Sequence, residues 1–176
     1  MKKICITLGI IFIIILTISC SAGVSGRDNS EYLRIHVRAN SNSEQDQSVK
    51  YLVRDEIVNY LTPYLAECHG KKQAVKIINA QKASLEKAVE AVLLKNGFDY
   101  GANIAVRNEN FPTRVYEDLT LQSGYYDAVI VELGKAEGDN WWCVVYPPMC
   151  FASGEKVVYR SRIREIIDEF KRKYGR

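Results

Sequence analysis

Histidine and proline are scarce in this chain, with 2 His and 4 Pro among 176 residues. His36 and His69 are therefore its whole supply of imidazole for acid–base or zinc chemistry. Glycine stops at 11 residues, which excludes collagen-like and low-complexity classes. A surplus of one charge is missing too: 24 Lys+Arg stand against 21 Asp+Glu, a net charge of +3 that is too small and too mixed to indicate nucleic-acid binding. Gly-x-Ser-x-Gly, a phosphate-cradling loop ending in Gly-Lys-Ser/Thr and His-Glu-x-x-His are all lacking. No internal repeat or long linker divides the chain, and 47% hydrophobic content over this length is that of one globular domain.

The first residues carry a message of their own. Lys2 and Lys3 precede a run at residues 4–18 in which 12 of 15 are apolar, and small residues follow at 19–23. Basic, then apolar, then small is the layout of a secretory signal. The run falls short of the roughly 20 apolar residues of a spanning helix, which leaves an uncleaved membrane anchor as the alternative. Residues 1–22 are read as this segment, 23–32 as a short linker and 33–176 as a single domain placed outside the cytoplasm. Cys20 stands where a lipoprotein would be acylated, but Thr17 occupies a position where such signals usually have Leu.

Past the linker, Leu33, Ile35 and Val37 alternate with Arg34, His36 and Arg38, the pattern of a half-buried strand with one polar face. Ser41-x-x-Glu44 and Ser43-x-x-Asp46 both resemble capping boxes, so a helix is expected from about Glu44. Its apolar stripe runs through Val49, Val53, Ile57 and Leu61, with Pro63 weakening the last turn. Gly70 separates it from a second helix at Lys71 to Lys95, which Asn96-Gly97 ends.

From Phe98 the period becomes two. A strand at Tyr100 to Val106, a polar stretch at 107–112, a strand at 114–121 turning through Gln122-Ser123-Gly124 into a hairpin partner at 126–133, and a strand at 141–146 are expected. A C-terminal helix places Ile163, Ile166, Ile167, Phe170 and Tyr174 on one side. It can pack on the domain, lie on an anionic membrane or dock on a partner, and its narrow, regular stripe favours packing. The architecture is α+β: a mostly antiparallel sheet with two long helices packed on one face and an amphipathic C-terminal helix.

Outside the membrane thiols tend to be oxidised, and the turn at Tyr146-Pro147-Pro148 can bring Cys143 and Cys150 within disulfide reach. Cys68 is then left over, as a free buried thiol or an intermolecular partner. A Cys68-His69 catalytic pair, or zinc held by Cys68, His69, Cys143 and Cys150, has unfavourable spacing. Glu117-Asp118 and Glu137-Asp139 read as solvated turn carboxylates. Neighbouring Trp141 and Trp142 must point to opposite faces of their strand. An exposed Trp near Tyr125, Tyr126 and Phe111 would anchor an interface, and packing under the last helix is the competing reading.

Specific strings then resemble a known family. Leu-Arg-Ile-His-Val-Arg-Ala-Asn-Ser-Asn-Ser-Glu-Gln-Asp-Gln at 33–47 and Val-Arg-Asp at 53–55 resemble the N-terminal signature of the stage II sporulation protein R family. Phe-Pro-Thr-Arg-Val-Tyr at 111–116, Gly-Tyr-Tyr-Asp-Ala at 124–128 and Asn-Trp-Trp-Cys-Val-Val-Tyr-Pro-Pro-Met-Cys-Phe at 140–151 are similar to its C-terminal half. The chain departs from the family at Glu117 and Tyr126, where Gly and Glu are frequent.

The resemblance implies a signal of endospore-forming bacteria, exported from the forespore into the space between two membranes. Its partner there would be the external part of a membrane-embedded aspartic peptidase, which the signal activates to process pro-sigma-E. On this reading the chain is not an enzyme and needs no cofactor or metal, Asn140, Trp141, Trp142, Tyr125 and Tyr126 meet the partner, and Arg38, Asn40, Asp46, Arg54 and Asp55 organise the strand-to-helix corner. In that corner Arg38 is expected to pair with Asp46 or Asp55. The alternative is a secreted hydrolase using Cys68-His69 or acidic loop residues, and a structural protein of the septum is a third class.

Overall fold

A computed structural model describes residues 31–116, 119–151 and 157–174. The segment at 1–22 read as a secretory signal or anchor, with Cys20, most of the linker read at 23–32, and Glu117 and Asp118 lie outside the described residues. Strand β1 (Leu33–Arg38) leads through a corner into helices α1 (Glu44–Leu65) and α2 (Lys71–Lys95). Strands β2 (Ala102–Phe111), β3 (Arg114–Tyr116), β4 (Leu119–Leu121), β5 (Gly124–Leu133) and β6 (Asn140–Tyr146) follow, then helix α3 (Val157–Tyr174).

Local chemistry sets the helix ends. The Ser43 side chain caps α1 by accepting from the Asp46 backbone N–H. Gly97 takes φ +83°, which a residue without Cβ adopts at no steric cost as α2 ends. Pro63 sits inside the last turn of α1, which runs on to Leu65.

One sheet of four strands, ordered β2-β5-β1-β6, organises the domain. β1 runs parallel to β5, while β2–β5 and β1–β6 are antiparallel. The α+β architecture expected from the sequence is what the chain adopts. Helices α1 and α2 cover one face, burying Val53, Ile57, Leu61, Ile78, Leu85 and Val89 against Leu33, Ile35, Val37, Val129 and Val131. Each fully buried aliphatic side chain contributes about 1.5–3 kcal/mol relative to exposure, so this layer is the main source of stability.

The second face departs from expectation. It is covered, not solvated: Tyr32, Phe111, Leu121, Tyr126, Ile130 and Val144 form a second buried cluster, with Phe170 of α3 packed on it. Arg34 and His36, expected on a polar face, are buried. Period-two alternation shows which residues share a face, and tertiary packing decides whether water reaches it.

Two strand assignments change as well. In place of one strand at 114–121, Arg114–Tyr116 and Leu119–Leu121 pair as β3 and β4 in a small two-stranded sheet of their own. The partner of β5 is β2, whose ladder runs unbroken from Ala102 to Phe111 through the stretch expected to be a polar break. Arg107 and Glu109 keep their place in that ladder because ion pairs satisfy them. In α3, Ile166 is buried, Ile167 packs on the helix-side cluster and Phe170 on the second, the packing alternative for this helix.

Candidate functional site

Two polar clusters grow out of β1 and the turn that follows it. The first is the strand-to-helix corner. Asp46, buried at 5% exposure, accepts hydrogen bonds from Asn40 Nδ2 at 2.9 Å and Ser41 Oγ at 2.5 Å through Oδ2, and from the Tyr100 hydroxyl at 2.6 Å through Oδ1. Burial pushes its carboxyl pKa up, but the donors at Ser41, Tyr100, Asn40 and Ser43 outweigh that and hold it below the ordinary range. The Tyr100 phenol is driven upward by burial and by this carboxylate.

The same corner clamps the loop before β6. Asn40 Oδ1 accepts from the Lys135 backbone N–H at 2.9 Å, Asn42 Oδ1 from that of Asp139 at 2.6 Å, and the Ala39 carbonyl from that of Gly138 at 2.9 Å. A Cβ on Gly138 would meet the Ser41 carbonyl at 2.2 Å, so only glycine lets the two backbones approach. Buried Lys50 donates to the Asp139 carbonyl and to Gln47, closing the clamp. These contacts join the string at 33–47 to the loop, and their job is mechanical.

The second cluster lies on the opposite face and is built differently. Arg34, fully buried, has its guanidinium 4.2 Å from the Phe111 ring centroid and 4.8 Å from that of Tyr126. Its Nη2 donates to the Tyr116 hydroxyl at 2.8 Å, while Nε and Nη1 have no hydrogen-bond partner. Among the described residues no carboxylate pairs with it. Aromatic faces attract a cation but give its N–H groups no acceptor in the ring plane.

His36 lies one strand pitch along, between Phe111 at 5.8 Å and the indole of Trp142, stacked at 5.3 Å. Arg114 of β3 covers the outer side of that indole at 4.5 Å. The His36 ring nitrogens make no hydrogen bond, though Nδ1 comes within 3.4 Å of Glu109. Burial lowers the His36 pKa, and Asn140 and Glu109 offset this only in part, so the ring is neutral at pH 7. Arg38 bridges Glu109 and Glu132, and Arg107 also pairs with Glu132. Burial raises the Glu132 carboxyl, but hydrogen bonds from Arg107 and Asn103 leave it below the usual range.

The residues singled out from the sequence do not make one patch. Trp141 and Trp142 do point to opposite faces: Trp141 packs on the helix-side cluster with Arg54 over its ring at 5.7 Å, and Trp142 packs on the second. Both are half-buried, and Asn140 is exposed. Tyr125 is 70% exposed at the far end of the β2–β5 ribbon, opposite Asn110. Tyr126 and Phe111, expected near a surface anchor, are core residues at 1% exposure, and the Tyr126 hydroxyl donates to the Gln122 carbonyl. Arg38 does not pair with Asp46 or Asp55; it reaches across the sheet to the two glutamates. Asp55 instead pairs with its neighbour Arg54 on the surface of α1.

Cys143 and Cys150 are disulfide-bonded across a Cα–Cα distance of 6.0 Å, as expected. That bond removes two of the four ligands from the imagined zinc site. Cys68 is a free buried thiol whose pKa burial pushes up to about 11, far from a nucleophile, and His69 beside it is exposed. Sequence reasoning missed Arg34, Tyr116, Glu109, Tyr100 and Lys50. The signals were a polar side chain at every second position of β1 and a tyrosine in the strings at 111–116 and 124–128 that close over it.

Four of the five strings, at 33–47, 111–116, 124–128 and 140–151, each supply a member of one column on the second face: Arg34 and His36, Phe111 and Arg114, Tyr126, and Trp142; the fifth, at 53–55, lies on α1 with Val53 in the helix-side core. The model of the family described as stage II sporulation protein R matches residues 29–156. Stage II sporulation protein R of Bacillus subtilis (strain 168) is 30% identical over 128 residues, covering 71% of this chain and 57% of the relative. The chain thus spans under two thirds of the length of that curated relative. No solved structure matches the chain significantly. The family is named for sporulation and not for an enzymatic activity, and by the extent of the match this chain belongs to the stage II sporulation protein R family, with a role in sporulation.

Proposed function

We propose that this protein is an exported, non-enzymatic signal that activates a membrane-embedded aspartic peptidase, which in turn processes pro-sigma-E. The observation that carries the reading is the convergence of four of the five family strings on an aromatic and cationic face where the described residues present no nucleophile, paired acid and base, or metal-ligand set. A ligand of this kind needs only to bind the active form of the peptidase more tightly than the inactive one. A differential affinity of a few kcal/mol moves the population most of the way.

Exposed Val115 stands on the β3–β4 hairpin beside this face, and exposed Tyr125, at the end of the β2–β5 ribbon, projects from the opposite, helix-side face; both are apolar groups available to a partner. Trp142 and Asn140 supply the neighbouring contact along β6, and Trp141, on the other face, is a second contact. The protein acts beyond the inner membrane, in the space between forespore and mother cell, either released from its signal segment or held by it.

Co-production of the full chain, the peptidase and pro-sigma-E in a heterologous host tests this by the yield of cleaved sigma factor. Wild-type chain gives cleavage, Tyr125→Ala and Trp142→Ala reduce it while the chain stays folded, and Cys68→Ala with His69→Ala leaves it unchanged. Cleavage that persists in the Tyr125 and Trp142 variants but fails in the Cys68–His69 variant contradicts the proposal and favours the hydrolase.

A further inference from the structure

Fully buried Arg34 is a cation whose electrostatic partner is missing among the described residues. Two of its N–H-bearing nitrogens have no acceptor, the third donates to a neutral phenol, and the rings of Phe111, Tyr126 and Tyr116 lie 4.2, 4.8 and 5.8 Å from the guanidinium carbon. Leaving a buried guanidinium without a counter-charge is costly, and an apolar residue of similar size would avoid the cost. We propose that Arg34 is a binding site for a carboxylate, which takes the place of the Tyr116 hydroxyl and pairs with the guanidinium between the rings of Phe111 and Tyr126.

Access runs past the β3–β4 hairpin. Tyr116 ties that hairpin to Arg34, and Arg114 ties it to Trp142. Tyr116 also lays its ring 5.8 Å from the guanidinium and packs on the edge of both buried clusters, while Val115 between the two ties is 67% exposed on a three-residue strand. Lifting β3 exposes the guanidinium and gives up the partly buried Tyr116 packing, while the fully buried helix-side residues stay in place.

Charge decides the ligand class. One uncompensated cation in an aromatic box is neutralised by a monoanion, whereas a phosphate dianion brings a second charge into low dielectric close to a face that already holds Glu109. If the protein activates a peptidase by contact, as proposed above, the carboxylate comes from an acidic side chain of that partner. The site itself is tested without the peptidase, so its failure and the failure of the activator reading are separate results.

The experiment follows the Arg34 Nε–H resonance in the full chain, isotopically labelled at arginine and held in neutral detergent, assigned by its loss in Arg34→Lys. Sodium acetate is titrated against sodium chloride at equal ionic strength and against sodium phosphate. The resonance is expected to move saturably with acetate, far less with chloride or phosphate, and the half-saturation concentration is expected to drop about tenfold in Tyr116→Phe, where the competing hydroxyl is gone. Should Arg34→Lys fail to fold, the Trp142 indole N–H gives the same readout in wild type and Tyr116→Phe. An acetate response no larger than that of chloride in both proteins overturns the site, and a phosphate response equal to that of acetate overturns the carboxylate assignment.

Discussion

Asp46 and Arg34 are both buried charges set within one fifteen-residue string, and they are treated in opposite ways. Asp46 has a donor for each oxygen and a place in the clamp that fixes β1, α1 and the loop before β6. Arg34 uses one nitrogen on a phenol and faces aromatic rings with the others. A saturated buried charge is a structural part, because removing it strands its partners. An unsaturated one contributes little that an apolar side chain would not, and its presence points to a use beyond stability.

The widest gap between the two regions is expected from truncation. Asp46→Ala strands the Tyr100 hydroxyl, Asn40 and Ser41, and is expected to cost about 3 kcal/mol in denaturant unfolding. Arg34→Met, which keeps the length of the side chain and drops its charge, is expected to leave stability unchanged or raise it by about 1 kcal/mol. Equal losses in the two variants would erase the distinction.

Somewhat smaller is the effect of opening the disulfide. Cys143 and Cys150 are separated by 7 residues in sequence, and closing so short a loop stabilises by about 2.5 kcal/mol in the chain-entropy picture. Replacing both by Ser is expected to lower the unfolding free energy by that amount. Since β6 carries Trp142, the replacement is also expected to loosen the Arg34 face more than the corner, which hydrogen exchange at β1 and α1 amides reports.

Acid sharpens the contrast further. Asp46 titrates below its ordinary value in the folded state, so its contribution is complete above about pH 4 and is lost as pH falls through the folded pKa. Asp46→Asn is expected to flatten that acid limb of the stability curve. The His36 pKa is lowered from 6.5, so the unfolded chain takes up the proton first. Stability is complete above about pH 6.5 and falls below it. His36→Gln is expected to remove that slope, the smallest of these effects, measured by unfolding between pH 5 and 7.

Much of the corner was readable in advance, because capping residues and a strand of period two each carry a local rule. Ser43 as the cap of α1, Asn96-Gly97 at the end of α2 and the Cys143–Cys150 bond all rest on neighbours in sequence. The second face was not readable. Alternation in β1 marks Arg34 and His36 as sharing a side, but Phe111, Tyr116, Tyr126 and Phe170 that cover it come from residues far along the chain. The β3–β4 pairing escapes notice because 114–121 reads as one strand even though Glu117-Asp118 reads as a turn pair, and two three-residue strands are too short to show a period of their own. Arg38 was assigned to the near carboxylates, whereas sheet order puts it within reach of Glu109 and Glu132 on other strands.

The most direct test pairs two numbers on one variant: the unfolding free energy of Arg34→Met and its yield of cleaved sigma-E precursor when produced with the peptidase. The account predicts a domain at least as stable as wild type that no longer supports cleavage. A variant that loses several kcal/mol of stability, or one that folds and activates as wild type does, contradicts it.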